Sequence, residues 1–302
     1  MRKTLLLLFG AIALCLAFAS CSQDEQDVPM ATKCEKVQTV EELTAQLKAY
    51  NTQFGIKSDA LAYSTSRTPR LNLWDKLKIG LADAVGATVG ALFAGPYGSI
   101  LSGVVASYQT RLRILNEKQL KIEKVKHTYS DAFIGNGIYG NFTDSLGCYH
   151  NIAENALHSF YDNKFANVSD LELFHFCDSK MGSCSDGYRK NTVINASMID
   201  RMIVETRPIY YVPYKEDMAF SEYCNNLKMM NPNKSAYIDY MYEYLFAMAY
   251  GNIEDAEQYT YEVLLNLKNS NASELDRGAL TDGILTAYAS LLYSASIEYQ
   301  SK

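Results

Sequence analysis

The run from Ala82 to Ser107 constrains this chain more than any other stretch, because it places small residues at every fourth position along a helix. Ala82, Gly86, Gly90, Ala94, Gly98 and Ser102 form one row, and Ala87, Ala91, Gly95, Ser99 and Gly103 form a second beside it. Residues four apart lie one above the other on a helix, so two such rows make a smooth groove against which another backbone packs closely. Leu81, Val85, Val89, Leu92, Phe93, Ile100, Leu101, Val104 and Val105 cover the remaining surface with an apolar ridge. Gly95-Pro96 breaks the run. Proline removes a backbone donor and clashes with the preceding turn, at a cost of about 3 kcal/mol in a helix interior, so a helical hairpin turning near residues 94–97 is expected.

The first twenty residues point to export. Arg2 and Lys3 precede an apolar run from Leu5 to Phe18, and Phe18-Ala19-Ser20-Cys21 then fits a lipobox. The match resembles bacterial lipoprotein signal peptides, in which the cysteine becomes the first mature residue and carries the lipid. Cys21 is therefore the expected lipidation site. The acidic Ser-Gln-Asp-Glu-Gln-Asp after it resembles the Bacteroidota signal that sends lipoproteins to the outer face of the outer membrane. Residues 1–20 are read as the signal peptide, 21–38 as a flexible lipidated tether and 39–302 as a single helical domain.

Loss of Arg2 and Lys3 with the signal takes the formal charge from −6 to −8. A chain this acidic has no electrostatic footprint for nucleic acid. At 48% hydrophobic and 21% charged residues it can bury a full core. Cys177 and Cys184 bracket a short polar loop, CDSKMGSC, and are the candidate disulfide that would close it in an oxidising compartment. The odd number of cysteines left after Cys15 and Cys21 argues against a disulfide framework.

Thr39 and Glu42 read as a capping box opening a first helix within residues 39–55, and residues 57–70 read as a linker. Asn72 with Asp75 caps the hairpin, which spans residues 72–127 and whose second arm carries on through Lys118, Lys121, Lys124 and Lys126. Residues 128–302 read as a helical body. Gly135-Asn136-Gly137-Ile138-Tyr139-Gly140 matches GxGxxG, but no βαβ pattern surrounds it, and it is read as a bend. Leu171 to Cys177 reads as a short apolar segment, and Arg207 to Tyr214 as an extended aromatic connection, with three tyrosines and two prolines, strapped over the bundle. Ser273 to Tyr299 reads as one terminal helix. The expected fold is an all-α, multi-helix bundle with a central Gly/Ala-rich helical hairpin.

His150, Glu154 and His158 fall four apart on a helical stretch, close enough in azimuth to share a metal. The sequence names no further protein ligand to complete the set, so no metal and no cofactor are assigned. Asp144-Ser145-Leu146 resembles the O-glycosylation sequon of exported proteins from the same bacterial group, making Ser145 the candidate acceptor. The hairpin sequence AGPYGSILSG, His150-Asn151 and the Ser294 to Tyr299 ending together resemble uncharacterised glycine-zipper helical lipoproteins of the Bacteroidota surface type. That resemblance implies fold and location without an activity.

The chain lacks G-x-S-x-G, H-E-x-x-H and P-loop motifs, and no enzyme is read from it. The expected role is that of a surface-exposed, lipid-anchored interaction protein, with a membrane contact through the N-terminal lipid and a protein or glycan partner. The alternative is a membrane-active protein. The 27-residue charge-free run from Ala84 to Thr110 is long enough to cross a hydrocarbon core of about 30 Å.

Overall fold

The computed structural model describes residues 36–53, 71–126, 145–161, 168–184, 194–249 and 253–301. The fold is an all-α bundle, as the sequence leads one to expect. Among the described residues it comprises α1 (Val40–Gln53), α2 (Leu73–Glu117), β1 (Leu120–Val125), α3 (Leu146–Tyr161), α4 (Asp170–Cys184), α5 (Ala196–Tyr210), α6 (Phe220–Met230), α7 (Ser235–Met248), α8 (Ile253–Lys268), α9 (Glu274–Ser296) and β2 (Ile297–Ser301). The signal segment, Cys21, the tether up to residue 35, the 57–70 linker and the GxGxxG segment lie outside the described residues.

Local chemistry sets the helix starts. The Thr39 backbone N–H donates to Glu42 Oε2 at 3.0 Å, and Glu42 N–H donates back to Thr39 Oγ1 at 3.3 Å. Asn72 and Asp75 make the same reciprocal pair at the head of α2. Ser273 caps α9 by accepting from the Asp276 backbone N–H. Each cap satisfies backbone donors that the first turn of a helix leaves unpaired.

The long element α2 reverses on itself at Ala94 and Gly95, where the backbone leaves helical geometry and Gly95 takes a φ of +57°. That conformation is disfavoured for any residue with a Cβ, and Pro96 immediately after it has a φ suited to starting the second arm. The small row therefore folds onto itself. A Cβ on Gly90 would fall 2.0 Å from the Gly98 carbonyl oxygen, and one on Gly86 would fall 2.7 Å from both the Ser102 carbonyl oxygen and Ala106 Cβ. The two arms, residues 73–93 and 96–117, are each other's partner in the zipper.

A third helix joins them through its own glycine. A Cβ on Gly283 of α9 would strike Thr88 Oγ1 at 2.3 Å and the Ala84 carbonyl oxygen at 3.0 Å. Gly147 of α3 approaches α9 the same way, with Leu285 O 3.0 Å from its Cβ position. Leu81, Val85, Ile100, Leu101, Val104 and Val105 of the hairpin are fully buried, and α1, α5 and α7 complete the core around them.

Four readings are corrected. The second arm does not carry past Glu117: Gln119 adopts φ +52°, and residues 120–125 form β1, paired antiparallel with β2 from Leu120↔Ser301 to Val125↔Ile297. The sequence LKIEKV alternates apolar and charged residues, a period of two that suits a strand. The terminal helix accordingly stops at Ser296. Residues 171–177 belong to the longer helix α4, which also takes in the Cys177 to Cys184 segment. Finally, residues 207–210 form the last turn of α5, with Pro208 inside it, rather than an extended strap. Tyr210 is buried there, and Tyr214 beyond it donates its hydroxyl hydrogen to Asp75 Oδ1 at 2.8 Å, tying the connection to the head of α2.

Candidate functional site

The charge-free run of the hairpin begins one residue after Asp83 and ends one residue before Arg111. Both side chains are completely buried, and both meet α3. On that helix His150, Glu154 and His158 lie one turn apart along the face turned into the bundle, as their spacing leads one to expect. Ser290 and Ser294 of α9 and Tyr299 of β2 close the remaining sides. The result is a polar centre enclosed by both hairpin arms, α3 and α9.

Arg111 organises one half of the centre. Its Nε donates to Glu154 Oε1 at 3.0 Å, and Nη2 lies 3.0 Å from the same oxygen. Nη2 also donates to Ser294 Oγ at 3.0 Å and Nη1 to the Tyr299 hydroxyl at 3.2 Å, while the guanidinium sits 5.5 Å from the Tyr293 ring centroid. Burial alone would raise the carboxyl pKa of Glu154, but the charge of Arg111, with His158 and His150 beside it, holds it well below the usual carboxylate range. Glu154 is ionised. Because the guanidinium converges on Oε1, Oε2 has no hydrogen-bond partner among the described residues.

The other half is the pair Asp83 and His150, whose Oδ1 and Nε2 lie 2.9 Å apart with both side chains fully buried. The contact is close enough for an ion pair but lacks the alignment of a hydrogen bond. Burial pushes the Asp83 carboxyl up, and His150 pulls it only part of the way back. Burial works against a charge on His150, yet the facing Asp83 carboxylate raises its pKa above the usual value. His158, by contrast, is held neutral: burial lowers its pKa, and its Nε2 lies 3.5 Å from Glu154 Oε1 while its ring packs on Tyr108 at 4.9 Å.

Asn151 fixes the state of the His150 ring. Its Nδ2 donates to the Ala289 carbonyl oxygen at 3.2 Å, which turns Oδ1 toward His150 Nδ1, also 3.2 Å away. An amide oxygen only accepts, so Nδ1 carries the hydrogen, and in the neutral ring the lone pair is on Nε2. Nε2 is the atom that faces Asp83. The ligand atoms of Asp83, His150 and Glu154 all lie within 4.8 Å of one another.

The remaining sequence candidates fall elsewhere. The stripe Ala82, Gly86, Gly90, Ala94, Gly98 and Ser102 forms the seam between the hairpin arms. Ser145 stands at the start of α3, part-exposed, where its carbonyl oxygen accepts from the Tyr149 backbone N–H. The disulfide is corrected: Cys177 is a free, buried thiol, and Cys184 lies seven residues along the same helix α4. Seven residues at 1.5 Å rise separate their Cα atoms by about 10 Å, beyond the ~7 Å a disulfide spans. Asp83 and Arg111 are the functional candidates that sequence reasoning missed. Their signal was a charge at each border of an otherwise apolar zipper.

No protein-family profile, curated protein or solved structure matches the chain.

Proposed function

We propose that this chain is an exported, lipid-anchored protein, held at the outer face of the outer membrane by acylation of Cys21, whose helical domain acts as an interaction or binding protein toward a protein or glycan partner. The choice of a binding domain over a membrane-active one rests on a single observation. The hairpin that is long and apolar enough to cross a membrane is already used as core, with 89% of its most apolar window buried. Its small residues face each other across the hairpin and its large ones face the other helices, so it presents no free apolar face to a bilayer.

The anchoring and the binding role are tested separately. Cys21→Ala should move the protein out of the membrane fraction or leave the precursor uncut, since acyl chains contribute about 0.8 kcal/mol per buried CH₂ to membrane attachment. Cleaved protein that remains membrane-bound after that change refutes the anchor. Dye-loaded liposomes should stay intact with the Cys21→Ala protein, and leakage at micromolar protein would overturn the binding-domain reading in favour of membrane activity.

A further inference from the structure

We propose that Asp83, His150 and Glu154 form a buried binding site for one divalent transition-metal ion, with Asn151 and Arg111 as the groups that hold its ligands in place.

The argument starts from the facing pair. With Nδ1 of His150 donating to Asn151, a neutral ring points its lone pair at the Asp83 carboxylate across 2.9 Å. Two electron-rich atoms at that distance need a shared cation between them, and a proton or a metal ion fills that role. A proton on Nε2 serves these two atoms alone. Glu154 Oε2 would then remain buried without a hydrogen-bond partner among the described residues, and Asp83 Oδ2 would have only the poorly aligned Ser290 hydroxyl near its carboxylate. Buried carboxylate oxygens are normally paired, and each exception asks for an ion or a water. A metal ion serves the two carboxylates and the imidazole at once.

The geometry fits. Nitrogen and oxygen ligands sit about 2.0–2.2 Å from zinc, which places tetrahedral ligand atoms about 3.4 Å apart. The three donors here lie within 4.8 Å of one another, and Asp83 Oδ1 and His150 Nε2 are 2.9 Å apart, so sub-ångström adjustments of each side chain bring them onto one centre. The surroundings match what metal ligands require. The histidine donates its second nitrogen to a fixed amide, and the Glu154 carboxylate is oriented through its other oxygen by Arg111. One imidazole with two carboxylates suits zinc, cobalt or manganese rather than the soft ions that thiolates select.

Because the donors are fully buried, metal is best introduced during folding. The full chain is unfolded in urea with EDTA, the chelator is removed, and the protein is refolded with Zn²⁺ or Co²⁺ and desalted. About one equivalent of metal per chain is expected, a visible ligand-field band for Co²⁺, and a melting temperature raised by about 5 °C or more when the metal exceeds its Kd a hundredfold. Asp83→Asn and Glu154→Gln keep the size of each side chain, and Glu154→Gln keeps an acceptor for Arg111. Each should weaken binding at least tenfold. Wild-type protein that refolds to the same helical spectrum yet retains neither metal and melts unchanged overturns the proposal. Retention that is equal in wild type and in either variant also overturns it, because the ion is then held elsewhere. Should a variant fail to fold, the wild-type stoichiometry, Co²⁺ spectrum and melting shift decide the question alone.

Discussion

Gly90→Ala is the smallest change that tests whether the zipper is closed. The added methyl carbon would sit 2.0 Å from the Gly98 carbonyl oxygen, 2.5 Å from its carbonyl carbon and 2.8 Å from Ser102 Oγ. Two of the three atoms are backbone, so no rotamer relieves the clash. Ordinary contact begins near 3.4 Å, and the arms must part by more than an ångström beside the turn. A gap of about 1 Å already forfeits about half of each dispersion contact along the seam. Overpacking in a tight core costs about 1–3 kcal/mol, and a backbone clash places this one at about 3 kcal/mol. For a domain of this size that corresponds to about 6–12 °C in Tm. Gly278→Ala in α9 is the control. Nothing lies within 4 Å of its Cβ position, and replacing an exposed helical glycine should stabilise by about 0.5–1 kcal/mol. Thermal unfolding followed by circular dichroism reads both. A Gly90→Ala protein that melts at or above wild type would refute the claim that the two arms touch backbone to backbone.

Three further outcomes follow from buried groups within and outside the polar centre. Burial raises the Asp282 carboxyl on α9 from 3.8 to about 8; the folded state thus binds a proton that the unfolded state has released, and stability falls as pH rises between about 4 and 8, by up to about 1.4 kcal/mol per pH unit. Urea unfolding of Asp282→Asn across that range should be flatter by this slope, and parallel curves for the two proteins would refute it. Arg111→Met leaves the Glu154 carboxylate buried without its counter-ion and should cost about 3–5 kcal/mol in the urea midpoint, of which Arg111→Met/Glu154→Met recovers a large part; a double variant no more stable than the single one would refute the pairing. The Cys177 thiol, raised by burial and enclosed in the core, should resist alkylation in the native protein and react fully in urea without reductant; a Cys177–Cys184 peptide in a non-reducing digest would refute the helical reading of α4.

What the sequence made legible and what it did not divide along physical lines. Caps are local, and Thr39–Glu42, Asn72–Asp75 and Ser273–Asp276 all stand where spacing alone puts them. The turn at Gly95-Pro96 is local too. The failures came where tertiary pairing decides. Residues 120–125 are a strand because residues 297–301 lie beside them, a partner more than 170 positions away that no window can see. Cys177 and Cys184 suggested a loop by their chemistry, while the intervening residues extend a helix. The polar centre was half legible. His150, Glu154 and His158 share a face by spacing, and His150-Asn151, Ser294 and Tyr299 were singled out separately; their meeting around Arg111 needed the fold.

The same two charges bear on whether the hairpin could leave the domain for a bilayer. A zipper that inserts must carry its flanking residues to the membrane surface and open its contacts with α3 and α9. Asp83 and Arg111, at the two ends of the charge-free run, are the residues that bind those helices most specifically, through His150 and through Glu154, Ser294 and Tyr299. Withdrawing the hairpin breaks the fully buried Arg111–Glu154 pair together with the packing that encloses it. Gly283 adds to this, since α9 approaches the Ala84 backbone at a distance only glycine permits, and the cavity left there has no side chain to fill it. An inserting hairpin needs a loosely held resting state. This one is held by ion pairs at its base and by glycine contacts along its length, which is the arrangement of a permanent core.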